Sequence, residues 1–215
     1  MGLFKTNYRS PFVLLITILV FTGCDFANDK KTIEQEITQI GKKNNCLLTA
    51  SYTVSTNKSS IVLNIQARTE NIFLPGKVLF ETYKALKKKS IVCDNYSIKS
   101  SNKGLMLAQT KEEMRAVSQR IELYESHLNL LKQRRYELVY NLLSDDIKQK
   151  IEKDTVFKYL SALSTDFTEF NGFDTFIYNN SPLMEVSFKN KKEVLSFAYS
   201  TDLSDGKIHG FHVRR

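Results

Sequence analysis

Two kinds of side chain in this sequence could do chemistry, and each would need a particular setting. A carboxylate held in an apolar cavity and faced by a tyrosine can take a proton while the phenol stabilises the developing charge. The candidates are Asp166 and Asp174 as bases, Tyr178 and Tyr199 as donors, and His209 near the C-terminus. No diagnostic spacing joins them. His209 alternates with Phe211 and Val213 and so shares their strand face, while His212 takes the opposite one. A histidine among apolar neighbours reads first as a core residue. Glu34, Glu36, Glu112 and Glu113 stand in charged surroundings and read as helix caps or solvated faces.

The second kind is cysteine, at positions 24, 46 and 93. There is no C-x-x-C, no Cys/His cluster and no H-E-x-x-H, so no metal site is expected. The glycines are dispersed rather than gathered into a phosphate cradle, and no G-x-S-x-G elbow appears. No cofactor is expected. Cys46 and Cys93 each lie near a strand-like stretch. Outside the cytosol they could bridge, closing a loop of about 48 residues worth about 4 kcal/mol in the chain-entropy model. They could equally stay reduced as small buried hydrophobes. A bridge needs a Cα separation under about 7 Å, which spacing does not reveal.

Cys24 ends a different pattern. Lys5 and Arg9 precede the apolar run Phe12–Phe21, and the small residues Thr22 and Gly23 lead into Cys24. Ten apolar residues are half of the roughly 20 that a membrane-spanning helix needs, but they suit the core of a signal peptide. The stretch resembles a bacterial lipoprotein signal, with Phe21 where that family usually carries Leu. The resemblance implies diacylglycerol on the Cys24 thiol and cleavage just before it, often followed by acylation of the new amino group. Two or more chains hold a protein stably on a membrane where one does not. The expected location is the bacterial cell envelope, lipid-anchored on the extracytoplasmic side, with the choice of membrane left open.

Loss of residues 1–23 removes Lys5 and Arg9 and leaves +6 of the +8 net charge. The basic residues are scattered apart from Lys87–Lys89, Lys189–Lys192 and Arg214–Arg215. A nucleic-acid binder wants a continuous basic face interleaved with aromatics. No nucleic-acid partner is expected, and the charge reads as solubility.

The elements that must position these residues follow from periodicity. After a tether at 24–31, the region 32–109 reads as a small α+β module in the order α-β-β-α-β-β. Ile33, Ile37 and Ile40 mark a helix; Leu48, Ala50, Tyr52 and Val54 then alternate, as do Ile61, Leu63 and Ile65, which predicts a hairpin. Pro75–Gly76 opens a second helix, and "IVCDNYSI" and "LMLAQ" complete a sheet taken to be antiparallel. "TKEE" at Thr110 is a capping box. It starts a helix whose stripe runs from Met114 through Tyr124 and Leu131 to Leu142, with Arg135 the one charged interruption. That stripe suits either self-association, giving a homodimer, or burial in the chain's own core. Within 110–215, two short helices follow, capped by Ser144 and Asp154, and then four strands punctuated by "NNSP", "NKK" and "LSDG".

The segment "RRYELVYNLLSDDIKQKI", the helix from Asp154 and the four-strand tail resemble uncharacterised bacterial domains of the nuclear-transport-factor-like, or ketosteroid-isomerase-like, cone fold. The resemblance covers roughly the last 85 residues. It implies a curved sheet wrapped on helices around an apolar pocket, and no particular chemistry, because folds of this kind host enzymes and binders alike. The fold class expected is α+β. The function expected is a lipid-anchored module that binds a small ligand or a protein without catalysis. The alternatives are a cone-fold enzyme acting on a small apolar or acyl substrate, and a scaffold that dimerises through the helix 111–142.

Overall fold

The structure, a computed structural model, describes residues 28–55, 58–67, 71–100, 104–163 and 166–214. Cys24 and the signal-like stretch lie outside the described residues. The chain is a mixed α+β fold built on two four-stranded sheets.

The first helix, α1, covers 28–43 and so takes in residues expected to belong to the tether. Ile33, Ile37 and Ile40 point into the core at the predicted spacing. Asn45, with φ of 51°, turns the chain into β1 (Cys46–Ser55). This strand pairs with β2 (Lys58–Ala67) as an antiparallel hairpin. Helix α2 (Leu74–Lys88) carries Pro75 in its first turn, where a missing N–H costs nothing. It leads to β3 (Asn95–Ser100), and β4 (Gly104–Thr110) closes the sheet in the order β1-β2-β3-β4.

The expected antiparallel sheet is corrected at its centre, where β2 and β3 run parallel. A helix between two strands returns the chain to its starting end, and that crossover makes the next strand parallel. The strand expected from Ile91 also starts later. Ser90, at φ 61°, ends the helix, and Ile91–Cys93 runs as irregular chain before Asn95, with Ile91 and Cys93 buried and Val92 exposed.

Helix α3 (Lys111–Lys132) begins with the predicted capping box. The Glu113 N–H donates to Thr110 Oγ1 at 3.2 Å, and the Thr110 N–H donates to Glu113 Oε2 at 2.6 Å. The helix does not reach Leu142. Arg134 adopts a left-handed φ of 56°, and α4 (Tyr136–Leu142) starts afresh beyond it. The stripe from Met114 to Leu131 is buried in the chain's own core, the second of the two settings its spacing suits. Helix α5 (Asp145–Lys150) has Ser144 at its cap position, but the hydroxyl makes no capping bond. Helix α6 (Lys153–Ser161) is preceded by Glu152, and Asp154 sits in its first turn instead of capping it.

The strands β5 (Glu169–Tyr178), β6 (Ser181–Lys189), β7 (Val194–Ser200) and β8 (Ile208–Arg214) form the predicted antiparallel meander. Asn179 and Asn180 both take positive φ, as a two-residue turn whose twist matches the strands requires.

The two sheets share one continuous core. Helix α2, which belongs to the first sheet by sequence, lies against β5 of the second. Backbone meets backbone there. A Cβ on Gly76 would clash with the Phe173 main chain, and one on Gly172 with the Phe73 carbonyl. Gly172 also holds φ 138°, which suits no other residue. Phe80 packs edge-on to Phe170 at 5.4 Å, and Lys77 pairs with Glu169 at 3.1 Å.

Candidate functional site

The register of the second sheet assigns each residue to a face. Phe173, Val186, Phe197 and Phe211 lie in one cross-strand row; Asp174, Glu185, Ala198 and Gly210 lie in the next and point the other way. The first face meets the helices and is filled. Tyr124 stacks on Phe188 with centroids 4.4 Å apart, tilts against Phe197 at 4.8 Å, and donates its hydroxyl to the Leu195 carbonyl at 3.1 Å. His127 Nδ1 is 3.1 Å from Tyr199 Oη. The Arg120 guanidinium lies over the Tyr199 ring and donates to the Asp202 carbonyl. This face of the sheet is closely packed with aromatic side chains against α3.

Burial sets the protonation states there. Desolvation, with help from the Arg120 charge, pushes the His127 pKa down to about 4, so its ring is neutral near pH 7. Tyr199 is pushed well above its ordinary value, chiefly by burial. Arg120 is itself lowered by desolvation, opposed by Asp205, Tyr199 and Asp202.

The sequence-predicted site residues do not converge. Tyr199 is fully buried on the helix face, and Asp174 projects from the opposite face of the same sheet. The two are thus separated by the sheet itself. Tyr178 is half exposed at the end of β5. Asp166 is exposed and accepts from Asn190 Nδ2 at 2.9 Å. His209 does not share the face of Phe211. A bulge pairs Ile208 with Tyr199 and Gly210 with Ala198, leaving His209 between registers, where Nε2 sits 2.6 Å from Asp205 Oδ2. The bulge is what strict alternation could not anticipate.

The Cys46–Cys93 bridge does not form; both thiols are free. Cys46 pairs with Ala67 at one end of β2, and Cys93 leads into Asp94, whose N–H donates to the Ser59 carbonyl at the other end. Eight residues of strand hold the thiols on the order of 25 Å apart, far beyond bridging reach. Burial pushes the Cys93 thiol up to about 11 and raises Cys46 as well.

What the outer face does assemble is a row that sequence reasoning missed. Asp174 stands directly across from Glu185 on the neighbouring strand. His212 Nε2 lies 3.0 Å from Glu185 Oε1, reaching over β7 where Ser196 and Ala198 are small. Ser196, wholly buried beside His212, has no hydrogen-bond partner for its hydroxyl among the described residues. Burial raises the Asp174 pKa, partly offset by the Thr175 N–H at 2.8 Å. An imidazole and two carboxyls gathered on one face could hold an organic cation. The signal was present, since Glu185 and Ser187 alternate with Met184, Val186 and Phe188. It reads as a solvated strand face until the second sheet edge and α2 are in place.

Two shallow grooves flank this sheet. One, of about 460 Å³, has a floor of Phe80, Phe170 and Phe188 under a rim of Glu36, Lys43, Glu81 and Glu125. The other, of about 470 Å³, lies between Gln109 and Glu113 on one side and Ile177 and Pro182 on the other. Among the described residues no cluster of three or more His, Cys, Asp or Glu is placed to hold a metal ion. Among them, too, no helix is long and apolar enough to cross a membrane. No family model matches the chain, and neither curated proteins nor solved structures give a match.

Proposed function

We propose that this chain is a bacterial envelope lipoprotein, held on the extracytoplasmic side of a membrane by acyl chains on Cys24, whose folded body binds a ligand or partner protein at that surface. The observation that carries the anchor is the succession of Lys5 and Arg9, ten apolar residues, Thr22–Gly23 and Cys24. The body's surface features suit binding. The phenol and carboxylate that proton abstraction would need lie on opposite faces of one sheet. The Phe-floored groove lies between helices α1, α2 and α3 and the β5–β6 edge of the second sheet, a concave, partly apolar setting that suits a ligand.

The test is Cys24→Ser. The variant should stay uncleaved, carry no acyl mass, and lose stable attachment through Cys24; mass spectrometry of the mature wild-type chain should find an acylated Cys24 as its first residue. Normal maturation and membrane sedimentation of the variant would overturn the proposal.

A second reading is favoured by one observation. His212 and Glu185, with Asp174 across from Glu185, form an acid–base set whose facing Nε2 and Oε1 atoms are buried while the His212 ring is partly exposed. If that set is catalytic, Glu185→Gln abolishes turnover while leaving the fold intact.

A further inference from the structure

We propose that the end of the first sheet where β2 begins lies against the lipid surface, and that the tip of the β5–β6 hairpin joins it there. This orientation rests on the reading of Cys24 as the anchor.

The argument starts from chain length. From Cys24 to the described start of α1 at residue 28 there are four residue steps, which span at most about 14 Å in any conformation. The start of α1 is therefore held close to the bilayer. Gly41, near the other end of α1, packs so close to the beginning of β1 that an added Cβ would press on the Cys46 carbonyl and Leu48, so the helix folds back along that strand. The start of α1 consequently lies beside the end of β1 and the start of β2. The electrostatic influence of Asp29 on Tyr52 and Cys93 agrees with that placement. The start of β3 and the end of β4 meet at the same end, where Asn95 pairs with both Ser60 and Thr110.

The surface gathered there is of the kind that settles on phospholipid. Val54 is 57% exposed and Val92 46% exposed. Lys30, Lys31, Lys58 and Lys111 stand exposed around them. The acids of this end are Asp29, Asp94, Glu112 and Glu113. Asp94 accepts from the Ser59 N–H at 2.7 Å, and Glu113 is engaged in the capping box, so two of the four are already committed to backbone donors. Glu113 also borders the groove that contains Ile177, which brings the β5–β6 hairpin alongside. Its tip exposes Phe176, Ile177 and Tyr178 in succession, with Ile177 77% exposed. Apolar side chains with a tyrosine among them and lysines around them match the headgroup layer of an anionic bilayer.

The chain contains no tryptophan, so a single introduced one reports its own surroundings. Four variants of the full acylated chain, Val54→Trp, Val92→Trp, Ile177→Trp and Leu47→Trp, are reconstituted into phosphatidylethanolamine–phosphatidylglycerol vesicles with brominated acyl chains. Leu47 is 64% exposed at the far end of the same strand as Val54 and serves as the distal control. The expected result is quenching by at least half at Val54, Val92 and Ile177, and under a tenth at Leu47. Equal quenching at Leu47 and Val54, or none at Val54 and Val92, overturns the orientation. Silence at Ile177 alone overturns the hairpin's part in it. Flotation is read on the same samples. Protein that floats with the wrong quenching pattern defeats the orientation and leaves the anchor standing, whereas protein that carries no acyl mass and does not float defeats both. Quenching at Val54 and Val92 that is absent at high protein density and appears only on dilution within the vesicles would assign the face to a second copy of the chain instead.

Discussion

At the scale of single residues, the sharpest constraints are places where nothing else fits. Gly76 and Gly172 bring two main chains into contact, and Gly172 adds a backbone angle closed to other residues. Gly76→Ala and Gly172→Ala should each cost about 3 kcal/mol or more in denaturant unfolding, with failure to accumulate as the extreme outcome. His127 is a second constraint. Its folded pKa, about 4, is below its ordinary 6.5, so the unfolded chain takes up a proton first as pH falls. The stability that the neutral ring allows is whole above about pH 6.5 and declines toward pH 4, by on the order of 3 kcal/mol. His127→Gln should flatten that part of the stability–pH curve relative to wild type. Asp174 has the opposite sign. Its raised pKa penalises the ionised form in the fold, so stability falls as pH rises above the ordinary Asp range. Asp174→Asn should therefore be more stable than wild type at pH 7 and equal to it in acid. The free thiols give the simplest check: unfolded under non-reducing conditions, the chain from Asp25 onward should take up two alkylating groups.

At the scale of elements, capping and periodicity did most of the work. The capping box at Thr110 was legible because it is local: Thr110 and Glu113 are three residues apart and satisfy each other's orphan backbone groups. Thr110→Ala should cost about 1 kcal/mol by thermal or chemical unfolding. The hairpins were legible for the same reason, since alternation in Ile61, Leu63 and Ile65 needs no knowledge of the partner strand. The end of α3 was not legible. A Gly would have marked it, but Arg134 takes the left-handed conformation itself, held by its N–H to the Leu131 carbonyl. Arg134→Gly should then stabilise the turn by about 0.5–1 kcal/mol, the reverse of what Gly does inside a helix. The face of His209 was hidden by a one-residue bulge, which leaves no compositional mark in "KIHGFHVRR". The parallel pairing of β2 and β3 depends on where α2 returns the chain, which periodicity does not encode.

At the scale of the whole molecule, the α+β class and the element order were readable, and the relation between the two sheets was not. Nothing around Gly76 in the sequence says that its partner is Phe173, because the contact is between main chains. The outer-face row of Asp174, Glu185 and His212 was obscure for a related reason: its members come from three strands and meet only when the meander is folded. The groove floored by Phe80, Phe170 and Phe188 likewise draws on α2, β5 and β6. The continuous core predicts one cooperative unfolding transition, the same by circular dichroism and by tyrosine fluorescence.

The docking of α2 on β5 also bears on how the chain is made. The helix is complete by residue 88, yet the strand it needs begins at 169, so a nascent chain can carry the first sheet without its proper support for some eighty residues of synthesis. Contacts of such sequence separation form late. A polypeptide that settles only when its last quarter has arrived stays slack for longer, and for the exported chain proposed above such slackness suits passage through a narrow pore.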